Sequence, residues 1–368
     1  MNYKKRTPFV TCCLALMALT GLLMSCRYFC IRAILNGQKN YPVYITKAGV
    51  KARFAHQIDY MNLSPDGRFL NICSEDDGEA GAVYASLLQD NDVNGELPSV
   101  IYNTANFKIV ATLPYYDEVL AFSPNNKYVI TGPADRLGES ILRLPSLQVV
   151  STYPRHFTIH NAVFLDNHRV FFSGYSEQFI YDFRAGRLIY HSYLPATLSI
   201  ISADGSILAT YYEGCTKMYK LTALTPKPIA SVQVVKRYPS EDDEVEINFD
   251  SMAISPDDRY VLIHAGQQVV IPIDKDPVVI SPPTYNTYFI SNGDTALLGT
   301  GISKTAPALA LYNLHTRKMR AIIKANSVVD DLAVSPNGRI AVYRQYHAQD
   351  GGDLYIMPLA QLLKGAQR

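Results

Sequence analysis

Leu63-Ser64-Pro65-Asp66-Gly67-Arg68 is the clearest copy of a short motif that stands between two apolar stretches of the chain. Proline fixes φ at the second position of a tight turn, and Asp, Asn and Gly tolerate the corner that follows. Each copy therefore predicts a β-hairpin that joins two short strands. Close copies lie at residues 122–127, 254–259 and 334–339, and looser copies lie at 164–169, 201–205 and 290–294.

The spacing of these turns predicts the fold. Their first positions are residues 64, 123, 165, 202, 255, 291 and 335, and the mean step of about 45 residues is the length of one four-stranded blade of a β-propeller. Between the turns, Tyr102-Asn103, Tyr181-Asp182 and Tyr312-Asn313 mark the end of a third strand and the turn into a fourth. The seven copies predict an all-β fold, a seven-bladed β-propeller of four-stranded blades.

Two resemblances support this interpretation. Residues 181–187 (YDFRAGR) resemble the end of a WD40 repeat with Tyr in place of Trp, and the Ser-Pro-Asp-Gly turns resemble those of YVTN and TolB-type propellers. The resemblance covers residues 41–360 and implies a fold but no activity. The last blade runs out of chain before its outer strand, so residues 42–46 (PVYIT) are expected to pair with it and close the ring. Residues 361–368 are expected to be a C-terminal tail.

The N-terminus has the composition of an export signal. Lys4, Lys5 and Arg6 precede the apolar residues 9–24, and this stretch ends in Leu23-Met24-Ser25-Cys26. That ending resembles the lipobox of bacterial lipoproteins, which implies removal of signal peptide 1–25 and acylation, palmitate included, at Cys26. Residues 26–40 would then be a lipidated tether. An uncleaved signal anchor is the alternative, because the apolar stretch approaches membrane-spanning length.

The resemblance to lipoproteins also implies a location. Residue 27 is Arg rather than Asp, and in enteric lipoproteins this favours sorting to the outer membrane. The expected location is the bacterial cell envelope, with the propeller anchored by its lipid and facing the periplasm.

Composition and missing motifs exclude several functions. The 368 residues carry a formal net charge of +1 and no basic stripe, so a nucleic-acid partner is not expected. The chain has no Trp, which excludes the Trp-based blade motif of quinoprotein dehydrogenases, and it has no Gly-x-Ser-x-Gly elbow or sialidase-type Asp-box. A non-enzymatic module is favoured. The alternative is a metal-dependent hydrolase or lactonase with its site in the central channel, and a small-ligand sensor stays open as a third possibility.

A ring of polar residues is predicted at one mouth of the channel. We take each Ser-Pro-Asp-Gly turn to follow the innermost strand of its blade. That strand then begins at the opposite face, five residues before the first position of the turn. The residues there are Asp59, Glu118, His160, Thr197, Asp250, Asn286 and Asp330. Such a ring could bind a cation or cationic ligand, with Ca²⁺ or Mg²⁺ as the only cofactors considered. The alternative is that these residues end strands through Asx-type turns and stay solvated.

The sequence offers one calcium-loop candidate. Asp90, Asp92 and Asn94, followed by Gly95, match the front half of a calcium-binding loop. The bidentate acid expected at the twelfth position is replaced by Ile101, so an ordinary polar turn is the alternative interpretation.

The channel-mouth face is also the predicted contact face. Aromatic and basic residues of the types enriched at interface hot spots occur in its segments, namely Tyr115, Tyr116, Arg155, His156, Tyr285 and Tyr288. The predicted function is a membrane-anchored module that binds a protein or polymer partner at the cell envelope through this face.

Overall fold

The computed structural model describes residues 43–46, 49–54, 57–75, 99–113, 119–132, 140–152, 159, 161–174, 177–212, 215–222, 225–233, 251–264, 268–273, 278–279, 286–290, 295–299, 308–323, 328–347 and 351–365. Most of them belong to short antiparallel strands. Within these ranges, no helix has the length and apolar character needed to cross a membrane.

The first three blades are regular four-stranded sheets, each with its strands in chain order. The first blade contains β3 (Gln57–Leu63), β4 (Phe69–Glu75), β5 (Val100–Asn103) and β6 (Ile109–Thr112). The second contains β7 (Val119–Phe122), β8 (Tyr128–Thr131), β9 (Ser140–Arg143) and β10 (Gln148–Thr152). The third contains β11 (Asn161–Phe164), β12 (Arg169–Ser173), β13 (Gln178–Asp182) and β14 (Arg187–Ser192).

Three further blades repeat the same order. The fourth contains β15 (Leu198–Ile201), β16 (Ile207–Tyr212), β17 (Cys215–Thr222) and β18 (Thr225–Gln233). The fifth contains β19 (Ser251–Ile254), β20 (Tyr260–His264), β21 (Gln268–Pro272) and β22 (Val278–Val279). The sixth contains β23 (Asn286–Phe289), β24 (Thr295–Gly299), β25 (Leu309–Asn313) and β26 (Lys318–Ile323).

The seventh blade combines the two ends of the propeller. Its inner strands are β27 (Val328–Val334), β28 (Ile340–His347) and β29 (Gly351–Pro358), and two N-terminal strands follow, β2 (Gly49–Phe54) and β1 (Val43–Thr46). The predicted closure by an N-terminal strand is confirmed. The structure refines it, because β2 pairs directly with β29 and the expected strand is a fifth, outermost one paired with β2.

The core is divided among the junctions between blades. Seven apolar clusters are present, and each combines buried residues of two adjacent blades. Strand β12 shows how one strand serves two junctions: Val170 and Phe172 pack toward the second blade, whereas Phe171 packs toward the fourth. Alternate residues of a strand point to opposite sheet faces, so the inner strands are apolar on both sides.

A short helix follows the last strand. Helix α1 spans Leu359–Gly365, and its Leu359 and Leu362 are buried against the junction between the sixth and seventh blades. We expected a tail from residue 361 onward, and the structure instead continues the packed region to residue 365. The Leu-Ala-Gln-Leu-Leu spacing supplies the apolar helix face that makes this packing favourable.

Five of the predicted turns close around a buried serine. The serine hydroxyl donates to the Asp or Asn two residues later, at 2.7–3.1 Å, and accepts from the backbone N–H five residues later, at 2.9 Å. These serines are Ser64, Ser123, Ser202, Ser255 and Ser335. Buried polar groups cost free energy unless they are hydrogen-bonded, so each serine fixes the geometry of its turn.

The turns also define the two faces of the propeller. The first turn of a blade bonds to the turn between its third and fourth strands, as in Thr104 N–H to Arg68 O at 2.9 Å and Leu221 N–H to Ser206 O at 2.8 Å. Both kinds of turn therefore lie on one face, which we call the turn face. The first strands of neighbouring blades pack side by side, so the strands that lead into the Ser-Pro-Asp-Gly turns are the innermost ones. They begin at the opposite, channel-mouth face.

Candidate functional site

The innermost strands of three consecutive blades have a β-bulge near the channel mouth. In β3 the bulge lies between Ile58 and Tyr60, in β7 between Val119 and Ala121, and in β27 between Val329 and Asp331. The pairings described for β11, β15, β19 and β23 show no such shift. Bulges increase the local twist and re-aim side chains, and they are frequent next to functional sites. The seventh, first and second blades therefore form a distinct arc of the channel mouth.

Two residues of the predicted polar ring occupy these bulges. Asp59 is the extra residue in β3 and Asp330 is the extra residue in β27. Strands β27 and β3 are neighbours around the axis, so the structure brings the backbones of these two aspartates into adjacent positions. Asn286 begins β23. The side chains of Asp59, Asn286 and Asp330 lie outside the described residues.

Thr197 immediately precedes β15 and is half-buried, and its backbone N–H donates to Tyr211 O at 2.7 Å. Thr197 thus marks a strand start, as the sequence predicts. Glu118, His160 and Asp250, the other three members of the predicted ring, lie outside the described residues.

A buried ion pair lies beside the arc. Arg344 of β28 is only 2% exposed, and its Nη1 lies 3.5 Å from Oδ2 of Asp331, its partner across β27 and β28. A Cβ atom added to Gly352 would lie 2.8 Å from Arg344 Nε, so the glycine leaves the room that the guanidinium occupies. A buried charge is tolerated when it is paired, and this pair ties β28 to β27 next to Asp330.

Tyr288 lies near the same ion pair and feels the charge of Asp331. Sequence reasoning assigned it to the contact surface, but it lies in the innermost strand β23, half-buried, and packs against the clusters on both sides of the seventh blade. Burial, with the negative charge of Asp331, raises the pKa of Tyr288 to about 12. The phenol therefore stays neutral at physiological pH, and its placement indicates a packing role.

The other predicted contact residues, Tyr115, Tyr116, Arg155, His156 and Tyr285, lie outside the described residues. The same holds for Cys26 and for the calcium-loop candidates Asp90, Asp92 and Asn94. Within the described part of the chain, no group of three or more His, Cys, Asp or Glu side chains is arranged to hold a metal ion.

Sequence reasoning missed Arg344 and Asp331. The signal was present, because Arg344 directly follows the apolar residues 340–343 (IAVY), a run typical of a buried strand. A charged residue in such a strand is rarely buried without a partner. Its partner Asp331 directly follows Asp330 in the sequence. Asp331 pairs with Arg344 across the two strands, whereas Asp330 is the extra residue of the bulge, and only the strand pairing reveals this difference.

The aspartates of the turns have lowered pKa values. Burial acts to raise the pKa of Asp66, but hydrogen bonds from Arg68, Asn126 and Ser64 outweigh it. Asp166, Asp204 and Asp257 are lowered in the same way by the hydrogen bonds of their own turns. These carboxylates stabilise the fold above their ordinary pKa, and that contribution is lost as the pH falls through the lowered values.

Asp258 is the exception. Burial, with the charges of Asp204 and Asp257, raises its pKa from 3.8 to about 6. A raised carboxyl pKa contributes stability below its unfolded value, and this contribution is lost as the pH rises through 6. Asp258 has a left-handed φ of 57°, and Asn126 holds the same turn position in the second blade with a φ of 56°.

Asp258→Asn is therefore expected to stabilise the protein at pH 7.5 by about 1 kcal/mol, after a discount for solvent screening of a partly exposed group. The gain should shrink as the pH is lowered from 7 to 4. Thermal unfolding of the full chain across this pH range measures it. Asp166→Asn is the matched control and should instead lose stability at pH 7.5, because the pKa of Asp166 is lowered. A gain that is independent of pH would contradict the electrostatic explanation.

Comparison with known proteins supports the fold. No family model matches the chain, and no curated protein matches it. Among solved structures, it is similar to the β-propeller domain of Cps50 (Swd1) from Myceliophteria thermophila, with a TM-score of 0.54 and 13% sequence identity. The similarity covers 86% of this chain and 99% of that domain. Seven sheets around an axis, closed by the N-terminal strands, and this structural neighbour show that the protein is a seven-bladed β-propeller.

Proposed function

We propose that the protein is a membrane-anchored, non-enzymatic β-propeller that binds a protein or polymer partner at the bacterial cell envelope through its channel-mouth face. The observation that carries the proposal is the arc of bulged innermost strands in the seventh, first and second blades. Bulges re-aim side chains, and Asp59 and Asp330 stand at two of them. The polar groups of the Ser-Pro-Asp-Gly turns, in contrast, are hydrogen-bonded within their own turns.

The buried cluster below the arc favours binding over chemistry. Arg344 and Asp331 neutralise each other within the sheet, and the raised pKa of Tyr288 keeps its phenol protonated. These groups hold the strands of the arc in place rather than supply a nucleophile. A rigid scaffold that presents loops is the usual arrangement of a binding surface.

The membrane anchor in the proposal rests on the sequence of the N-terminus. Lys4, Lys5 and Arg6, the apolar residues 9–24 and Cys26 occur in the order that lipoprotein signals require. A lipid on Cys26 would hold the propeller at the envelope, where more than one acyl chain is needed for stable attachment.

Affinity capture from membranes tests the contact face. The triple variant Tyr116→Ala, Arg155→Ala, Tyr285→Ala is expected to lose, by tenfold or so, the partners that the native chain captures, because Tyr and Arg dominate interface energetics. The matched control replaces Ser146, Gln148 and Thr316, which are exposed on the turn face, and should capture as the native chain does. Capture that survives the first triple change with an unaltered unfolding temperature would refute the assignment of this face. The Cys26→Ser variant should leave the membrane fraction if the anchor is a lipid.

A further inference from the structure

The turn face gathers basic side chains that are scattered in the sequence. The Ser-Pro-Asp-Gly turns and their looser copies form an inner circle with exposed cations at Arg68, Lys127, Arg169, Arg259 and Arg339. Hydrogen bonds join neighbouring turns, as in Asn337 N–H to Pro65 O at 3.2 Å and Asn125 N–H to Asn167 Oδ1 at 3.0 Å. Neighbouring turns of the inner circle are therefore joined directly at these two junctions.

An outer circle of cations surrounds it. Each residue of this circle lies within two positions of the turn after the third strand of its blade or, in the seventh blade, on helix α1. The six, one from each blade except the fifth, are Lys108, Arg143, Arg187, Lys227, Lys318 and Lys364, and all are exposed. None of them makes an ion pair with any of the described residues.

Most of the acidic groups described on this face are already engaged, and Asp258, whose pKa is raised, is the exception. Asp66, Asp166 and Asp257 form ion pairs with the arginines of their own turns. Asp204 accepts hydrogen bonds from Ser202 and Ser206. These contacts partly neutralise the cations of the inner circle. The outer circle therefore contributes most of the positive electrostatic potential of this face.

Two long connections that follow strand ends at the channel mouth are acidic in sequence. The longest connections between strands that end at the channel mouth are residues 76–98 and 234–250. The first contains six acidic and no basic residues, and the second contains six acidic and two basic residues. The sequence of these two connections is therefore net acidic.

We propose that the turn face lies against the surface of an anionic phospholipid bilayer. The cations come from all seven blades and surround the axis, so only a planar partner meets them together, whereas a rod-shaped polyanion would cross part of the circle. Each Lys or Arg near an anionic membrane adds to the attraction, which falls off within a Debye length of about 10 Å. Val149 and Leu188, which are 52% and 49% exposed, stand beside the outer circle and supply apolar contacts of the kind that interfacial segments use.

This orientation agrees with the proposed contact face. With the turn face on the bilayer, the channel mouth points away from the membrane and stays open to a partner. Strand β1 begins at the channel-mouth end, since Val43 pairs with Ala52 and Ala52 with Leu354. Residues 27–42 reach about 50 Å when extended, enough to return along the blade to the membrane.

Lysine footprinting of the full chain tests the orientation. The protein is reconstituted into vesicles of phosphatidylcholine alone or with one third phosphatidylglycerol, acetylated briefly and analysed by mass spectrometry. Labelling of Lys108, Lys318 and Lys364 is expected to fall about fivefold in the anionic vesicles and to recover at high salt, because the attraction is screened. Exposed Lys217, on strand β17 toward the channel-mouth face, is the internal control and should be labelled equally in both.

A charge-reversal pair separates this proposal from its alternatives. Arg143→Glu with Arg187→Glu should restore labelling of Lys108 and Lys318 in anionic vesicles, whereas Lys217→Glu should not. Equal labelling in both kinds of vesicle, or protection of Lys217 together with the others, overturns the proposal. Partner capture through the channel mouth is measured separately, in detergent, so failure of that function leaves this result unaffected.

Discussion

The Gly49→Ala variant is expected to lose about 3 kcal/mol or more of folding free energy, the largest loss we predict for one added methyl group. Gly49 has a φ of +135°, a conformation that L side chains rarely adopt. An added Cβ would lie 2.2 Å from Ile356 O and 3.0 Å from two atoms of Met357. These atoms belong to β29, the last strand of the protein. The clash would therefore disrupt the pairing of β2 with β29 that closes the ring.

Gly186→Ala provides the matched control. Gly186 also has a positive φ, +64°, but no heavy atom outside its chain neighbours lies within 4 Å of an added Cβ. Its substitution should cost only the backbone strain, about 1 kcal/mol. The two variants differ in crowding and in the severity of the backbone strain, and thermal unfolding of each full chain measures the combined difference. Equal losses would mean that the ring does not depend on the fit of β2 against β29.

Arg344→Met is expected to destabilise the fold by about 3–5 kcal/mol, because it leaves the carboxylate of Asp331 in the interior without the guanidinium. Arg344 is 2% exposed and Asp331 is 16% exposed. Methionine keeps most of the apolar volume, so the loss reports the charge rather than a cavity. The measurement is the unfolding temperature and the denaturant midpoint of the full chain.

Two further variants test whether the loss of stability comes from the unpaired carboxylate or from the missing ion pair. Arg344→Met with Asp331→Leu removes both charges and should recover much of the stability, since a buried ion pair is often replaceable by apolar residues. Lys51→Met removes an exposed pair of the same blade, in which Lys51 Nζ lies 2.8 Å from Asp353 Oδ2, and should cost less than about 1 kcal/mol. A double variant as unstable as Arg344→Met alone would show that the pair itself, not the isolated charge, matters.

The repeat count and the strand order were predictable because turn chemistry is local. Ser-Pro-Asp-Gly needs only its own six residues to specify a hairpin, and its regular recurrence specifies the number of blades. The third strands that end in Tyr102-Asn103, Tyr181-Asp182 and Tyr312-Asn313 are confirmed as β5, β13 and β25. The sequence identifies the serines as turn residues, but only the packing of the turns shows that they are buried.

Details of closure were less predictable. Residues 43–46 were recognised as a strand because they are apolar and rich in Tyr and β-branched residues, but Gly49–Phe54 carries two cations and was not. The pairing of β2 with β29 depends on contacts across more than 290 residues, and no local pattern encodes it. Helix α1 was missed for a similar reason, because its two buried leucines find their partners only in the assembled junction.

By itself, the sequence predicted an all-β chain of seven blades and the strands that line the axis, and the structure confirms both. The N-terminal signal that motivates the membrane anchor stays a prediction, because it lies outside the described residues. Only the tertiary structure decided that Arg344 is paired with Asp331, that Tyr288 lies in the packed interior, and that dispersed lysines and arginines meet on one face. The physical reason is the range of the interactions along the chain. Turns and strand periodicity arise from residues within a few positions of each other, whereas ion pairs and charged faces arise from distances in space between residues far apart in the chain.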